Sequence, residues 1–307
     1  MNLFIQGMRR SGTTILYDAL LDDPELSCFY EPLREEKETV GGGSGARELD
    51  VFAETRTLRD EFRRARYPDL PVDEFNWGGP RRPELELEHE LPGHCLELLR
   101  HLLELGRATE GSTDTAIKET RLYCKLPVLH ELDPYGVLVH VVRDPRSVAA
   151  SIVLGRGRRR QRKLRTADDF FADRVERKLW SSREISERLL ERSGYPALDE
   201  PSNVERVLLT WRLTFEAARI EGMRLFGGRY LLLRNEDLRS DPAAALGSLY
   251  RLLGRPLPEP VAAWAEANVR PPEEVYAGDD ARWLEAVERL GMGDAVEEAG
   301  YGRVLAS

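Results

Sequence analysis

Leu3-Phe4-Ile5-Gln6-Gly7-Met8-Arg9-Arg10-Ser11-Gly12-Thr13-Thr14-Ile15-Leu16 sets an apolar strand, a basic turn framed by two glycines and the start of a helix in direct succession. That order builds a phosphate cradle. The first N–H groups of a helix have no intrahelical acceptor, and the helix macrodipole adds positive potential at the same end, so such a turn favours an anion. Ser11, Thr13 and Thr14 add hydroxyl donors, and Arg10 adds a permanent cation whose planar fork suits phosphate or sulfate oxygens. The same residues also read as an ordinary strand-turn-helix with a Gly turn and a Ser/Thr cap, so the rest of the chain must decide.

Gly7 and Gly12 stand at the separation of the two glycines in a Walker A loop, but Thr13 occupies the place of its nucleotide-binding Lys. A kinase or NTPase also needs an apolar strand that ends in a metal-holding Asp. Here Val137-Leu138-Val139-His140-Val141-Val142 delivers Arg143 first and only then Asp144. Asp144-Pro145 reads as an N-cap followed by Pro at the first helical position, opening a helix from Arg146 to Leu154. The second strand therefore brings a cation. Ser151 lies eight residues beyond Arg143, and although the two need not share a helical stripe, Arg143 precedes the helix and can reach along it. Together they could grip a second phosphate beside the first.

The run Arg10-Ser11-Gly12-Thr13-Thr14 resembles the 5′-phosphosulfate loop of sulfotransferases that use 3′-phosphoadenosine-5′-phosphosulfate (PAPS). Val139 to Ser151 resembles their 3′-phosphate site, with Arg143 and Ser151 at the family's spacing. Leu233-Arg234-Asn235-Glu236-Asp237-Leu238, followed by Asp241-Pro242 and a helix from Ala244 to Leu253, is similar to a third stretch of that family. Arg282-Trp283 and Gly300-Tyr301-Gly302 resemble the tail of carbohydrate and tyrosylprotein sulfotransferases, and bacterial relatives share the pattern. The resemblance implies a P-loop NTPase-like sulfotransferase fold, a three-layer αβα sandwich. It implies PAPS as donor and no metal. Arg9, Arg10, Ser11, Gly12, Thr13, Thr14, Arg143 and Ser151 would then bind the donor, with Arg10 also stabilising the leaving phosphate.

Tyr30-Glu31-Pro32 follows the first helix, which is expected to end near Asp22-Asp23-Pro24, and a strand from Leu26 to Phe29 would return Glu31 to the cradle. In this place Glu31 is similar to the general base of sugar sulfotransferases. Pairing with a neighbouring Arg is the plain alternative. Ile117-Lys118-Glu119-Thr120-Arg121 resembles the family's strand beside the cradle and makes Lys118 a third catalytic candidate, against the alternative of a strand-end surface Lys. His89 and His94 stay as rival bases, because the phenol and steroid branch of the family uses a His. His140, inside an apolar strand, reads as a core residue, and His130 reads as structural. His94 and His101, seven residues apart, share a helix face without a metal-like set.

At 307 residues, with 41% hydrophobic and 32% charged, the chain can bury a sizeable core. Apolar strands alternating with helices predict a mostly parallel sheet with its ligand at the carboxyl ends of the strands. One domain over residues 1–307 is expected, with helical insertions or lids at 35–111 and 156–205. Net charge of −9 argues against a nucleic-acid partner. No leader or membrane span is visible, so a cytoplasmic protein without a membrane partner is expected; oligomeric state is left open, a homodimer included. Cys28, Cys95 and Cys124 form no metal pattern or disulfide set. All but five of the 45 basic residues are Arg, a bias that fits a GC-rich bacterial genome. Arg156 to Arg165 is a basic run that either closes over the donor or is a solvated loop. Between Glu35 and Gly111 a charged helix around Leu49 to Ala65 precedes Phe75-Asn76-Trp77-Gly78-Gly79-Pro80, whose Phe75 and Trp77 either line the acceptor site or pack in the core. A further helical segment from Ala167 to Arg192 carries Trp180.

The reading that results is a PAPS-dependent O-sulfotransferase: metal-independent, in-line transfer of a sulfuryl group to a hydroxyl of a small-molecule or carbohydrate acceptor. A P-loop-type kinase and a non-catalytic nucleotide-binding protein are the alternatives.

Overall fold

A computed structural model of the chain describes residues 1–33, 46–75, 83–155, 166–177 and 179–302. Five strands, β1 (Leu3–Gln6), β2 (Leu26–Tyr30), β3 (Asp114–Lys118), β4 (Val137–Val142) and β5 (Tyr230–Arg234), form one sheet in the order β2-β3-β1-β4-β5. Every adjacent pair is parallel. Because parallel strands are covered on both faces, they read as unbroken apolar runs, which is the pattern of Val137 to Val142, buried at all six positions.

The covering helices follow from the connections. Helix α1 (Thr13–Leu20) joins β1 to β2. Between β2 and β3 lie α2 (Ala46–Arg66), α3 (Val72–Phe75), a 3-10 turn (Pro83–Leu87) and α4 (Gly93–Ala108), and α5 (Leu126–Leu132) leads to β4. Helices α6 (Pro145–Val153), α7 (Ala167–Phe171), α8 (Ser182–Leu190) and α9 (Asn203–Phe226) precede β5. After it come α10 (Asn235–Ser240), α11 (Pro242–Leu252), α12 (Glu259–Asn268), α13 (Arg282–Arg289) and α14 (Gly293–Glu298).

Side chains alternate across the sheet and divide the interior in two. Leu3, Ile5, Val137, Val139 and Val141 pack with Tyr17, Leu20, Leu246 and Tyr250 of α1 and α11. Phe4, Leu138 and Val142 pack on the other side with Leu99, Leu102, Trp211 and Phe215 of α4 and α9. The result is the expected αβα sandwich with a fully parallel sheet. Helix α9 is fixed at its start by a capping box: Glu205 donates its N–H to Ser202 Oγ, and the Glu205 carboxylate accepts the Ser202 N–H. Such a cap contributes about 1 kcal/mol.

One expectation is corrected. Ala167 to Arg192 is not one helical segment: α7 ends at Phe171, and Leu179, Trp180 and Ser181 have left-handed backbone angles of 44°, 56° and 74° before α8 begins. A tertiary contact holds this kink: the Trp180 carbonyl accepts a hydrogen bond from Arg9 Nη1 at 2.7 Å. Among the described residues no helix is long and apolar enough to cross a membrane, and Cys28, Cys95 and Cys124 are free thiols.

Candidate active site

Close packing shapes the turn between β1 and α1. Ser11 donates its N–H to the Met8 carbonyl at 3.0 Å, and Arg10 and Gly12 have φ of 75° and 94°. A Cβ on Gly12 would stand 1.8 Å from Asn235 Nδ2, and one on Gly7 would stand 2.4 Å from the Val141 carbonyl oxygen. Both glycines are steric requirements. Helix α1 begins at Thr13 without a side-chain cap, which leaves its leading N–H groups to an anion. Ser11 and Thr13 are buried in the turn, and Thr14 Oγ1 lies 3.2 Å from the Tyr30 hydroxyl.

Arg10 connects this turn to the second strand-helix unit. Its Nε donates to Ser151 Oγ at 2.8 Å, and Arg143 Nη1 donates to the Arg10 carbonyl at 3.4 Å. Thus Arg10, Arg143 and Ser151 form one group at the adjoining carboxyl ends of β1 and β4. This is the point where the order of the strands reverses, the usual ligand crevice of open parallel sheets. Asp144 caps α6 as expected: its carboxylate accepts the Arg146 N–H at 2.8 Å and pairs with Arg146 Nη2 at 2.8 Å. The other motif stretches support this unit. Trp211 Nε1 donates to the Arg143 carbonyl at 2.9 Å, and Glu236 accepts both the Asp144 N–H and the Tyr301 hydroxyl.

Glu31 sits at φ 42° directly after β2 and pairs with Lys118 Nζ. The sheet register brings them together, since Tyr30 is opposite Lys118 and the Glu31 N–H donates to the Lys118 carbonyl at 2.8 Å. Lys118 is not a surface residue: it is 1% exposed and lies over the Tyr30 ring, 4.1 Å from its centroid. Burial pulls its pKa down, but the Glu31 carboxylate and Tyr30 outweigh that and raise it, so the ammonium persists.

Arg9 pairs with Glu86 of the 3-10 turn as well as with the Trp180 carbonyl. It ties the cradle to the segments inserted before β3 and after α7. Glu86 is fully buried and also accepts from Tyr123 Oη at 3.3 Å, with Arg121 Nε at 3.7 Å. Phe75 is 2% exposed, in a cluster with Phe62, Tyr67 and His94, so the structure gives it a packing place. Trp77 and residues 156–165 lie outside the described residues.

The histidines are engaged elsewhere. His89 Nδ1 is 3.1 Å from the Cys124 carbonyl, and His94 Nε2 is 3.1 Å from the Phe75 carbonyl. His140 is buried against Tyr230 Oη at 2.9 Å, and burial pushes its pKa down to about 3, which keeps it neutral. His130 packs edge-on against Phe226.

Three contributors have no role that the sequence assigns. Asn235 closes over Gly12, Glu86 holds Arg9, and Glu119 accepts the Leu33 N–H at 3.3 Å and the Thr120 N–H at 3.1 Å. Asn235 lies within the third motif stretch and Glu119 within the run Ile117 to Arg121, and that membership is the only signal that could have marked them.

The parallel sheet, the glycine-framed turn and the second strand-helix unit joined to it define an α/β protein of the P-loop type. Residues 2–191 match the model of the sulfotransferase family, and the chain belongs to that family. Among solved structures it is similar to sulfotransferase STF9 from Mycobacterium avium, with a TM-score of 0.52 and 15% identity over 97% of this chain and 75% of that one. It is also similar to STF1 from Mycobacterium tuberculosis H37Rv (TM-score 0.45, 14% identity, 94% and 75% of the chains). A retinol dehydratase solved with retinol and PAP is a further one (TM-score 0.41, 16% identity, 96% and 81%). No curated protein matches the chain.

Proposed function

We propose that the protein transfers the sulfuryl group of PAPS to a hydroxyl of a small-molecule or carbohydrate acceptor, in line and without a metal. The observation that carries this reading is the bond from Arg10 to Ser151 with Arg143 on the Arg10 carbonyl, which joins the two proposed anion grips into one mouth. The donor set fits a ligand with two anionic ends. It consists of uncapped helix N–H groups, the hydroxyls of Ser11, Thr13, Thr14 and Ser151, and two guanidinium groups. Asn235 Nδ2, buried against Gly12, has no hydrogen-bond partner among the described residues and is a further donor at the turn.

When bound, PAPS supplies an activated sulfuryl group whose bond to the 5′-phosphate oxygen breaks as the acceptor oxygen attacks sulfur. The α1 N-terminus, Thr13 and Thr14 hold the 5′-phosphate. Arg143 and Ser151 hold the 3′-phosphate. Arg10 neutralises the charge that gathers on the leaving phosphate. Glu31 Oε takes the proton of the acceptor hydroxyl, and Lys118 pairs with that carboxylate and holds it in place. The Asp144 carboxylate is spent on its cap and on Arg146, which leaves this strand end unlike the metal-holding strand of a kinase.

A thermal-shift titration tests the donor class. Adenosine 3′,5′-bisphosphate should raise Tm, with a stabilisation of about 2.7 kcal/mol at a hundredfold excess over Kd, whereas ATP with Mg²⁺ should leave Tm nearly unchanged. A larger shift with ATP would overturn the reading. Arg143→Ala should weaken bisphosphate binding by about 1.5–3 kcal/mol, the scale of hydrogen bonds to a charged group, as read by calorimetry. Transfer should survive a chelator.

A further inference from the structure

The Glu31 turn is stitched down by residues 118–120. The Glu31 N–H bonds the Lys118 carbonyl, the Leu33 N–H bonds Glu119 Oε2, and Thr120 Oγ1 lies 3.5 Å from Glu31 Oε1. Glu119 is thus a second carboxylate, 3% exposed, behind the proposed base. It is anchored by two main-chain N–H groups.

We propose that Glu119 is a positioning residue that both holds the Glu31-Pro32-Leu33 turn and, by its negative charge, counters Lys118 so that Glu31 can accept the proton of the acceptor hydroxyl. The inference rests on Glu31 being the base. A carboxylate paired with an ammonium is a weak proton acceptor, because the cation favours the ionised form. A like charge alongside works the other way, and two carboxylates in one dry site hold a shared proton more readily than either would alone. The acceptor proton still passes to Glu31 Oε; Glu119 takes no part in bond making or breaking.

The surrounding charges agree. Burial, then the charge of Glu31, pushes Glu119 up to about 7, against the opposing pull of Arg121 and Lys118. Arg121 is itself lowered, by burial and then by Arg9, while Glu86, Glu31 and Glu119 pull the other way. Arg9 and Glu86 pair with each other on the side of the 3-10 turn. From α4 the Cys95 thiol faces the group, pushed up by burial and then by Glu119 and hence neutral. The site is therefore a balanced cluster, in which removing one charge must move the titration of the others.

The decisive measurement is the pH profile of kcat. In the wild type, kcat should rise with pH as the base loses its proton. Glu119→Gln should move that acid limb to lower pH by about one unit, lower kcat about tenfold and leave the KM for PAPS within twofold. Glu119→Asp, which keeps the charge, should restore the limb. A limb unmoved in E119Q would reduce Glu119 to a structural anchor and overturn the proposal. Should E119Q fail to fold, infrared titration of the buried carboxyl band decides the matter without activity. The band titrating near neutrality in the wild type should shift to lower pH in Glu31→Gln, and an unchanged band would likewise overturn the coupling. A fully active E31Q would instead remove Glu31 as base, which separates failure of that reading from failure of this one.

Discussion

Glu31→Gln is expected to lower kcat by about 10²–10⁴ while the affinity for adenosine 3′,5′-bisphosphate stays within about twofold, the general base being the part removed. The split follows from where the two functions are built. The proposed donor contacts come from β1-α1 and β4-α6, whereas Glu31 enters from the end of β2 and is tied to β3 by Lys118. Gln keeps the shape and one acceptor oxygen for Lys118 but cannot take a proton at neutral pH. It also leaves a buried ammonium without its counter-charge, an arrangement that is strongly destabilising in general; here Glu119 and the Tyr30 ring remain close to share the load. Circular dichroism and calorimetric titration of the bisphosphate would establish that the fold and donor site are intact before kcat is compared. A variant with full rate would place the base elsewhere.

The fold was legible wherever local chemistry and tertiary structure agree. The strand Val137–Val142 carries its own signal, since only a strand covered on both faces tolerates six apolar or buried positions in a row, and Asp144-Pro145 announces the helix that follows. The turn after β1 was legible as a glycine-framed strand-turn-helix, but what makes its glycines obligatory comes from afar, from the Val141 carbonyl and from Asn235. Trp180 shows the limit. No glycine marks Leu179-Trp180-Ser181 for left-handed angles; a guanidinium arriving from Arg9, far away in sequence, helps fix them. Phe75, which the sequence left between pocket wall and core, depends on the same kind of distant packing. It lies in an aromatic cluster with Phe62 and His94, set by how α2, α3 and α4 pack. Glu119 and Glu86 gain their importance from sheet register and from the placing of the 3-10 turn, which no spacing along the chain encodes.

Gly12→Ala separates backbone strain from steric exclusion in the cradle, and its effect should be large on both stability and binding. The residue has φ of 94°, where an L side chain costs about 1–2 kcal/mol. Its new Cβ would also stand 1.8 Å from Asn235 Nδ2 and 2.8 Å from Asn235 Cγ, so Asn235 must move. Asn235 has little freedom to do so, because its Oδ1 accepts a hydrogen bond from Arg239 Nε at 3.0 Å and its residue opens α10. The two costs together should come to about 2–4 kcal/mol in urea unfolding, the range of severe single substitutions, with bisphosphate binding weakened at least tenfold. Gly111, at φ 82° with nothing within 4 Å of an added Cβ, supplies the comparison, and Gly111→Ala should show the backbone cost alone. Adding Asn235→Ala to Gly12→Ala leaves Asn235 Cβ at 3.6 Å, an ordinary contact, so the double variant should regain most of what exceeds the Gly111→Ala loss. Additive losses in that cycle would mean that Asn235 does not press on the turn. In that case its buried Nδ2 would be positioned by something other than the fit over Gly12.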